Sequence, residues 1–277
     1  MDQKARERMR DALLEQLAGP RVLVMGILNV TPDSFSDGGK FDRLDAALAH
    51  AAKMDVDGAD IIDIGGESTR PDALEVESHE EWRRLEGALS ALAVEGGLPV
   101  SVDTYKADVA RRAAEAGAVM VNDVWGMTRD PGMAAAIADT GSLAVVTYNR
   151  GAITDGLDLR ADLAAFVTES YARAEAAGIP RTHILFDPGV GFSKSYQQNL
   201  EALANLDVLV DTGRPVLVGV SRKSFIGRLT GRPVEDRLSG TLAVGLKTVQ
   251  MGAKVLRVHD VAHHRDALDM YSELANF

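Results

Sequence analysis

Residues 22–28 read VLVMGIL, and residues 43–58 read RLDAALAHAAKMDVDG. The first stretch is a short, almost continuous apolar run, which is typical of a strand buried on both faces of a parallel sheet. The second has the apolar spacing of a helix and ends in Gly58, a residue type that favours the C-terminal end of a helix. Together the two stretches predict one strand–helix unit.

This unit recurs along the chain without a repeat in the letters themselves. Eight strand–helix units predict a TIM (β/α)8 barrel, and a doubly wound open sheet is the structural alternative. The eight apolar runs are VLVMGIL (22–28), IIDI (61–64), LPVSV (98–102), VMV (119–121), LAVV (143–146), HILF (183–186), PVLVGV (215–220) and KVLRV (254–258).

The chain length fits one such barrel. It has 277 residues, and a TIM barrel takes about 250. No stretch rich in proline, glycine or serine divides it. The first residues are charged, but Met9, Leu13, Leu14 and Leu17 have helical spacing, which indicates an amphipathic helix. We therefore predict an N-terminal helix over 1–20 and a single barrel domain over 21–277.

Composition excludes several classes of function. A formal net charge of −11 argues against nucleic acid as a partner. No run of 18 apolar residues exists to cross a membrane, and the charged N-terminus does not resemble a secretory signal. The absence of cysteine excludes disulfides and thiolate metal sites and predicts a cytoplasmic protein.

In a TIM barrel the chemistry lies where strands end and βα loops begin. Nearly every predicted strand ends in amides, carboxylates or cations, several of them in glycine-rich turns, so the sequence predicts a converging polar pocket. The residues at these ends are Asn29, the segment GGESTRP (65–71), Asp103, Asn122, the segment 147–150, Asp187 with DPGVGF, Ser221 to Lys223, Arg257 and His259.

The pocket separates by chemistry into two halves. Two carboxylates, an amide and an ammonium suit a planar heterocycle with N–H donors on one edge and acceptors on another; these are Asp103, Asn122, Asp187 and Lys223. Cationic or donor side chains suit phosphate; these are Arg70, Arg257 and His259. Asn29 can give one oxygen to Mg²⁺, which binds through few protein ligands plus substrate phosphates.

Seven motifs occur in a fixed order: NVTPDSFSDGG, GGESTRP, SVDT, ND, DPGVGF, SRKSFIG and RVHDV. In these motifs the chain resembles the dihydropteroate synthases, over about residues 22 to 262. The resemblance implies a transferase of folate biosynthesis that joins 6-hydroxymethyl-7,8-dihydropterin diphosphate to para-aminobenzoate and releases pyrophosphate. It also implies a target of sulfonamides, a requirement for Mg²⁺ and a homodimer.

The resemblance assigns roles residue by residue. The pterin would be held by Asp103, Asn122, Asp187 and Lys223. The diphosphate would be held by Asn29, Arg70, Arg257 and His259, with Asn29 also binding the metal. The aminobenzoate would be bordered by Thr69, Pro71, Phe192, Lys223 and Ser224. The catalytic set would be Asn29, Phe35, Arg70, Lys223, Arg257 and His259.

The polar segment 30–41 follows the first strand and is longer than a plain connector requires. By the same resemblance it is a lid that brings Phe35 over the site and excludes water. The implied reaction is SN1-like: the bond to the diphosphate breaks first, the pterin stabilises the methylene cation, and the amine then attacks. Water would trap that cation, which gives the lid its purpose.

The chain departs from the family pattern at two places. After the fifth strand the family commonly has Met-His, whereas this chain has Thr147 and Tyr148; after GGESTRP the usual glycine is Asp72. Two alternatives to a synthase stay open, and these departures favour the first. One is a paralog that binds reduced pterins or folates without synthase activity, and the other is a pterin-dependent methyltransferase.

Overall fold

A computed structural model describes residues 1–31, 40–68, 74–94 and 96–274. Eight parallel strands lie within this part of the chain and form one sheet. They are β1 (Leu23–Asn29), β2 (Ile61–Gly65), β3 (Val100–Asp103), β4 (Met120–Asp123), β5 (Leu143–Thr147), β6 (Ile184–Asp187), β7 (Leu217–Val218) and β8 (Val255–Val258).

The sheet closes on itself, so the predicted TIM barrel is confirmed. Strands follow one another in order from β1 to β6, and β8 pairs with both β1 and β7. A single parallel bridge between Phe186 and Val216 closes the remaining gap, between β6 and β7. Strand β7 is shorter than the predicted run 215–220, because Pro215 has no N–H to donate and contributes only its carbonyl, to the Phe186 amide at 3.1 Å.

Helices surround the barrel. They are α1 (Gln3–Ala18), α2 (Lys40–Val56), α3 (Ser78–Leu92), α4 (Ala107–Ala116), α5 (Met133–Thr140), α6 (Leu159–Ala177), α7 (Tyr196–Ala204), α8 (Asp207–Val210), α9 (Ser224–Thr230), α10 (Leu238–Gln250) and α11 (Val261–Leu274). Gly117 and Gly178 end α4 and α6 with positive φ. None of the described helices is long and apolar enough to cross a membrane.

Helix α1 closes the N-terminal end of the barrel. Its Leu13 and Leu17 are buried against the apolar residues inside the barrel, which include Leu23 and Met25 of β1. Arg6 is buried as well, and its guanidinium donates to the carbonyls of Ala118 and Thr140 at 2.6 and 2.7 Å. The predicted amphipathic helix is thus present and seals one end, which leaves the opposite end for chemistry. The division of the chain at residue 20 stays a prediction.

The barrel interior has two layers. The lower layer is apolar and includes Ile61, Met120, Val145, Leu185 and Val255. Side chains on a strand alternate between its two faces, so the residues two positions further along also face inward. Those positions hold Asp63, Asn122, Thr147, Asp187 and Arg257. The sequence therefore places a layer of apolar side chains in the lower part of the barrel and a layer of polar side chains directly above it.

Candidate functional site

The polar layer is organised around Arg257 of β8. Its Nε donates to Asp63 Oδ2 and its Nη2 to Asp103 Oδ2, both at 2.6 Å. Asn122 Nδ2 donates to the same Asp63 oxygen at 3.0 Å. Three strands on one side of the barrel are thereby linked to the eighth. Two carboxylates and one guanidinium leave the cluster with a net negative charge.

Each of the two carboxylates keeps one oxygen without a hydrogen bond. Asp63 Oδ1 and Asp103 Oδ1 are both buried and have no partner among the described residues. A buried acceptor without a donor is costly. The two oxygens therefore indicate that the pocket is completed by a ligand with N–H or O–H groups.

The charges shift one another's proton affinities. Burial raises the pKa of Asp103 to about 7, with Arg257 opposing the rise and Asp63 adding to it. Burial opposes the ionised form of Arg257 too, but Asp63 and Asp103 together raise its pKa above the ordinary value. Near neutral pH the guanidinium is charged, whereas Asp103 is poised between its two forms.

Asp187 and Lys223 form a second part of the pocket. Asp187 Oδ1 accepts a hydrogen bond from the Gly189 amide at 2.7 Å. Burial raises the pKa of Asp187, and the nearby Lys223 ammonium opposes this. Burial likewise lowers the pKa of Lys223 to about 8, against the pull of Asp187. Each of the two groups opposes the shift that burial imposes on the other's pKa.

The Lys223 ammonium is engaged with the turn that follows β6. It donates to the Val190 carbonyl and lies 4.7 Å from the centre of the Phe192 ring. Ser224 is the exposed first residue of α9. The structure thus brings Lys223 beside Phe192 and next to Ser224, as the sequence predicted. The remaining residues of the predicted aminobenzoate group, Thr69 and Pro71, lie outside the described residues.

His259 and Asn29 lie at the mouth of the barrel and are exposed. The backbone N–H of His259 donates to Ser221 Oγ at 3.2 Å, and its Nδ1 lies 2.9 Å from the same oxygen. Arg257 was assigned with His259 to a phosphate half, but its guanidinium donates to Asp103, which was predicted for the other half, and to Asp63. Arg257 therefore does not belong to one half alone but lies between the two. Phe35, Arg70 and Asp72 lie outside the described residues.

Arg222 holds the turn between Ser221 and Lys223. Its φ is +58°, a left-handed conformation that is strained for a residue with a side chain. Its guanidinium forms a two-point ion pair with Asp260, and its amide donates to Thr241 Oγ1 at 3.1 Å. These contacts hold the strained turn that presents Lys223 to the pocket.

The loop after β2 is tied to the barrel by Glu67 of the GGESTRP motif. Its carboxylate accepts bonds from Lys106 Nζ, from Tyr105 Oη at 3.0 Å and from the Val76 amide at 3.1 Å. Lys106 also bonds Glu81 at 2.6 Å. This buried network fixes both described ends of the segment on which Thr69 and Arg70 were predicted to act.

Two residues of the site were not identified from the sequence. Asp63 lies inside the apolar run IIDI, two positions before the strand ends. Its charge within an otherwise apolar run was the signal that could have identified it. Lys194 follows the DPGVGF motif and is half-buried beside Tyr148 and Phe192. Its proximity to β5 had no signal in the sequence, because the two segments are 46 residues apart.

Comparisons with known proteins agree with this geometry. The pterin-binding enzyme family matches residues 25–259. A dihydropteroate synthase of Bacillus subtilis is 48% identical over 241 residues, which is 87% of this chain and 84% of the relative. A crystal structure of the dihydropteroate synthase of Clostridium difficile, determined in the presence of pteroic acid, is 44% identical with a TM-score of 0.89, covering 92% of this chain and 97% of that one.

A second solved structure adds another ligand. The dihydropteroate synthase of Xanthomonas albilineans, solved with 4-aminobenzoic acid, is 45% identical with a TM-score of 0.89. The alignment covers 93% of this chain and 94% of the relative.

Removing the Asp63 carboxylate tests the cluster. Asp63→Ala should lower the free energy of unfolding by about 3 kcal/mol, because Arg257 Nε and Asn122 Nδ2 both lose their acceptor in a buried site. Urea unfolding at pH 7 measures this. Asp57→Ala removes half of a partly exposed pair with Lys53 on α2 and should cost less than about 0.5 kcal/mol. Equal losses for the two variants would contradict the importance of the cluster.

Proposed function

We propose how a chain that belongs to the pterin-binding enzyme family, and within it to the dihydropteroate synthases, uses its described residues in that family's reaction. The enzyme condenses 6-hydroxymethyl-7,8-dihydropterin diphosphate with para-aminobenzoate to give 7,8-dihydropteroate and pyrophosphate. The family, the fold and the enzyme class predicted from the sequence are confirmed. The individual residue roles are proposals.

The observation that supports the pterin site best is the unpartnered oxygen of Asp103. It is buried at the top of the barrel while the other oxygen of the same carboxylate is held by Arg257. A dihydropterin presents N–H donors along one edge of its ring system. We place that edge against Asp103, Asn122 and Asp187, where buried acceptors and an amide can each complete a hydrogen bond.

Lys223 faces the opposite edge of the pterin in this arrangement. A pterin also has a carbonyl oxygen and ring nitrogens that accept hydrogen bonds, and an ammonium is the matching donor. The Lys223 amine is bonded to the Val190 carbonyl. Binding of the pterin therefore exchanges one acceptor for another at Lys223.

In the proposal the diphosphate lies at the mouth of the barrel, against Arg257, His259 and Asn29. Arg70, which is outside the described residues, is assigned to the same group. Arg257 has five N–H donors, and two of its nitrogens bond the carboxylates. Its guanidinium can therefore contact the Asp63 and Asp103 carboxylates and the phosphate oxygens at the same time. Charge on the leaving diphosphate is thus stabilised by a guanidinium whose own position is fixed by buried anions.

The donor set at the mouth fits Mg²⁺ held mainly by the diphosphate. Among the described residues no group of three or more histidines, cysteines and carboxylates could hold a metal alone, and Mg²⁺ commonly uses few protein ligands plus phosphate oxygens. Asn29, with its amide oxygen exposed beside Gly65, is the residue that would hold it. The ion would add positive charge at the leaving group.

The electrostatics of the pocket suit an SN1-like course. Asp63, Asp103 and Asp187 surround the position of the heterocycle with negative charge, which stabilises the methylene cation left when the C–O bond breaks. The aminobenzoate approaches between Phe192, Lys223 and Ser224 and attacks that carbon. Thr69, Pro71 and the lid residue Phe35 complete this side in the proposal, and the lid excludes water. Assembly as a homodimer and a cytoplasmic location stay predictions.

A pyrophosphate-release assay tests the proposed function. The purified chain should release pyrophosphate and form dihydropteroate in equal amounts when both substrates and Mg²⁺ are present. Asp187→Asn should lower kcat/KM at least about 100-fold, as expected when a charged hydrogen-bonding group is lost from a buried site. Asp57→Asn, in the partly exposed pair with Lys53 just after α2, should leave turnover unchanged.

Two outcomes would contradict the proposal. Tight binding of reduced pterins without pyrophosphate release would favour the non-synthase paralog. Transfer of a methyl group from a methylated pterin to a corrinoid would favour the methyltransferase.

The proton affinity of Asp103 predicts a pH dependence of pterin binding. The ionised carboxylate accepts stronger N–H bonds than the protonated acid does, and burial raises its pKa to about 7. Binding therefore releases a proton, and the Kd of 6-hydroxymethylpterin should fall several-fold as the pH rises from about 6 to about 7.5. Calorimetry in buffers of different ionisation enthalpy measures both the affinity and the proton release.

The Asp103→Asn variant is the control for this measurement. It should bind more weakly, and its Kd should be nearly independent of pH over the same range. A pH slope that persists in the variant would assign the titration to another group.

A further inference from the structure

Lys194 makes an unusually complete set of contacts for a residue outside the predicted site. Its amine donates to the carbonyl oxygens of Tyr148 at 2.7 Å, Gly189 at 2.9 Å and Phe192 at 3.2 Å. An ammonium has three N–H donors, so all three are used. The amine also lies 4.2 Å from the centre of the Tyr148 ring. One side chain thus ties the end of β5 to the turn after β6.

The backbones that Lys194 joins are already pressed together. Gly189 has a φ of +65°, and a Cβ at this position would stand 1.9 Å from the Tyr148 carbonyl oxygen. The Tyr148 amide donates to the Asp187 carbonyl at 2.9 Å. Ser193, next to Lys194, has a φ of +47°. Such close approach and left-handed geometry need a contact that holds them in place.

Tyr148, where the family commonly has histidine, forms one wall of this contact. Its hydroxyl donates to Asp162, which also pairs with Arg150, and its ring lies 5.3 Å from that of Phe166. Burial lowers the pKa of Lys194 to about 7; Asp187 and Asp162 oppose this, while Lys223 and Arg150 add to it. Tyr148, the residue at which this chain departs from the family motif, is therefore part of the network of contacts around the Lys194 amine.

Two lysines hold the turn 187–192 from different contacts. Lys223 bonds the Val190 carbonyl, and Lys194 bonds those of Gly189 and Phe192. In the proposed reaction Lys223 exchanges Val190 for the pterin. Lys194 is then the lysine that still holds the turn, together with Asn199, whose Oδ1 accepts from the Gly191 amide at 2.6 Å. In this state the turn presents Asp187 to the pterin and Phe192 to the aminobenzoate.

We propose that Lys194 is a positioning residue of this enzyme, which keeps the 187–192 turn in its binding geometry while Lys223 is engaged with substrate. The proposal rests on the proposed function, because that function gives Phe192 and Lys223 their ligands. The effect is expected chiefly on aminobenzoate, since Phe192 is held directly by the Lys194 amine.

The chain contains no cysteine, so position 194 can be modified selectively. Lys194→Cys is alkylated in the unfolded state with 2-bromoethylamine and refolded, which restores an ammonium at the length of a lysine side chain. A second sample is alkylated with 1-iodopropane, which gives a side chain of similar length without charge or N–H donors. Wild type taken through the same unfolding and refolding is the reference.

We expect the propylated protein to show a KM for aminobenzoate raised about tenfold, as the loss of one or two net hydrogen bonds implies. Its kcat should fall less than about threefold, and its Kd for 6-hydroxymethylpterin should change less than about threefold, if the turn is the part affected. The aminoethylated protein should return to within about twofold of the wild-type KM, because its three N–H donors are restored.

Lys254 provides the matched control. Its amine also bonds backbone carbonyls, those of Gly19 at 2.5 Å and of Arg21, at the opposite end of the barrel. Lys254→Cys carried through both alkylations should change thermal stability but leave the aminobenzoate KM unchanged. If the propylated Lys254→Cys protein also showed a raised KM for aminobenzoate, Lys194 would be acting only through general stability.

Three results would overturn the proposal. The first is an unchanged KM for aminobenzoate in the propylated protein. The second is a raised KM that aminoethylation does not bring back to the wild-type value. The third is a fall in kcat and a rise in the pterin Kd that are as large as the rise in the aminobenzoate KM. The aminobenzoate-dependent pyrophosphate release of the wild type tests the proposed function separately. Were that activity absent, the same ordering of variants is expected in the calorimetric Kd of pteroic acid, and a flat ordering there would overturn the proposal as well.

Discussion

The structure depends on the ion pairing of Arg257 with Asp63 and Asp103 inside the barrel. Removing charges from water is costly, and a buried charge persists only where partners compensate it. Here the compensation is geometric: the guanidinium of β8 reaches the carboxylates of β2 and β3 at 2.6 Å each. The apolar layer below, closed by α1, excludes water from beneath the cluster. The barrel therefore presents the Arg257 cluster, with its two unpartnered carboxylate oxygens, at the end opposite α1.

The chemistry of the proposed reaction follows from this placement. The carboxylates that fix Arg257 also surround the proposed site of the heterocycle. They orient the Arg257 guanidinium, which contacts the diphosphate in the proposal. They also stabilise the positive charge that develops on the methylene carbon of the pterin. In the proposal, the division into a pterin half and a phosphate half separates Asp187 from His259. It does not describe Arg257, which lies between the halves and couples them.

Much of this was predictable from the sequence, and the failures have physical causes. Alternating apolar runs and helices predicted the barrel, and polar residues at strand ends predicted Asp103, Asn122, Asp187 and Lys223 as neighbours, because parallel strands end at one edge. Asp63 was missed because it lies two positions inside an apolar run. The contact of Lys194 with Tyr148 was missed because it depends on two backbones approaching through Gly189, which no local pattern encodes. The proposed roles of Phe35, Thr69, Arg70 and Pro71 lie outside the described residues.

The central claim is that the buried acceptor of Asp103 and the Lys223 amine are the groups that receive the pterin. A crystal structure of this protein with 7,8-dihydropteroate tests it most directly. The account predicts a ring N–H of the pterin at about 2.9 Å from Asp103 Oδ1, Arg257 still paired with Asp63, and the Lys223 amine moved from Val190 onto the pterin. A pterin bound with Asp103 Oδ1 still unpartnered and Lys223 still on Val190 would contradict it.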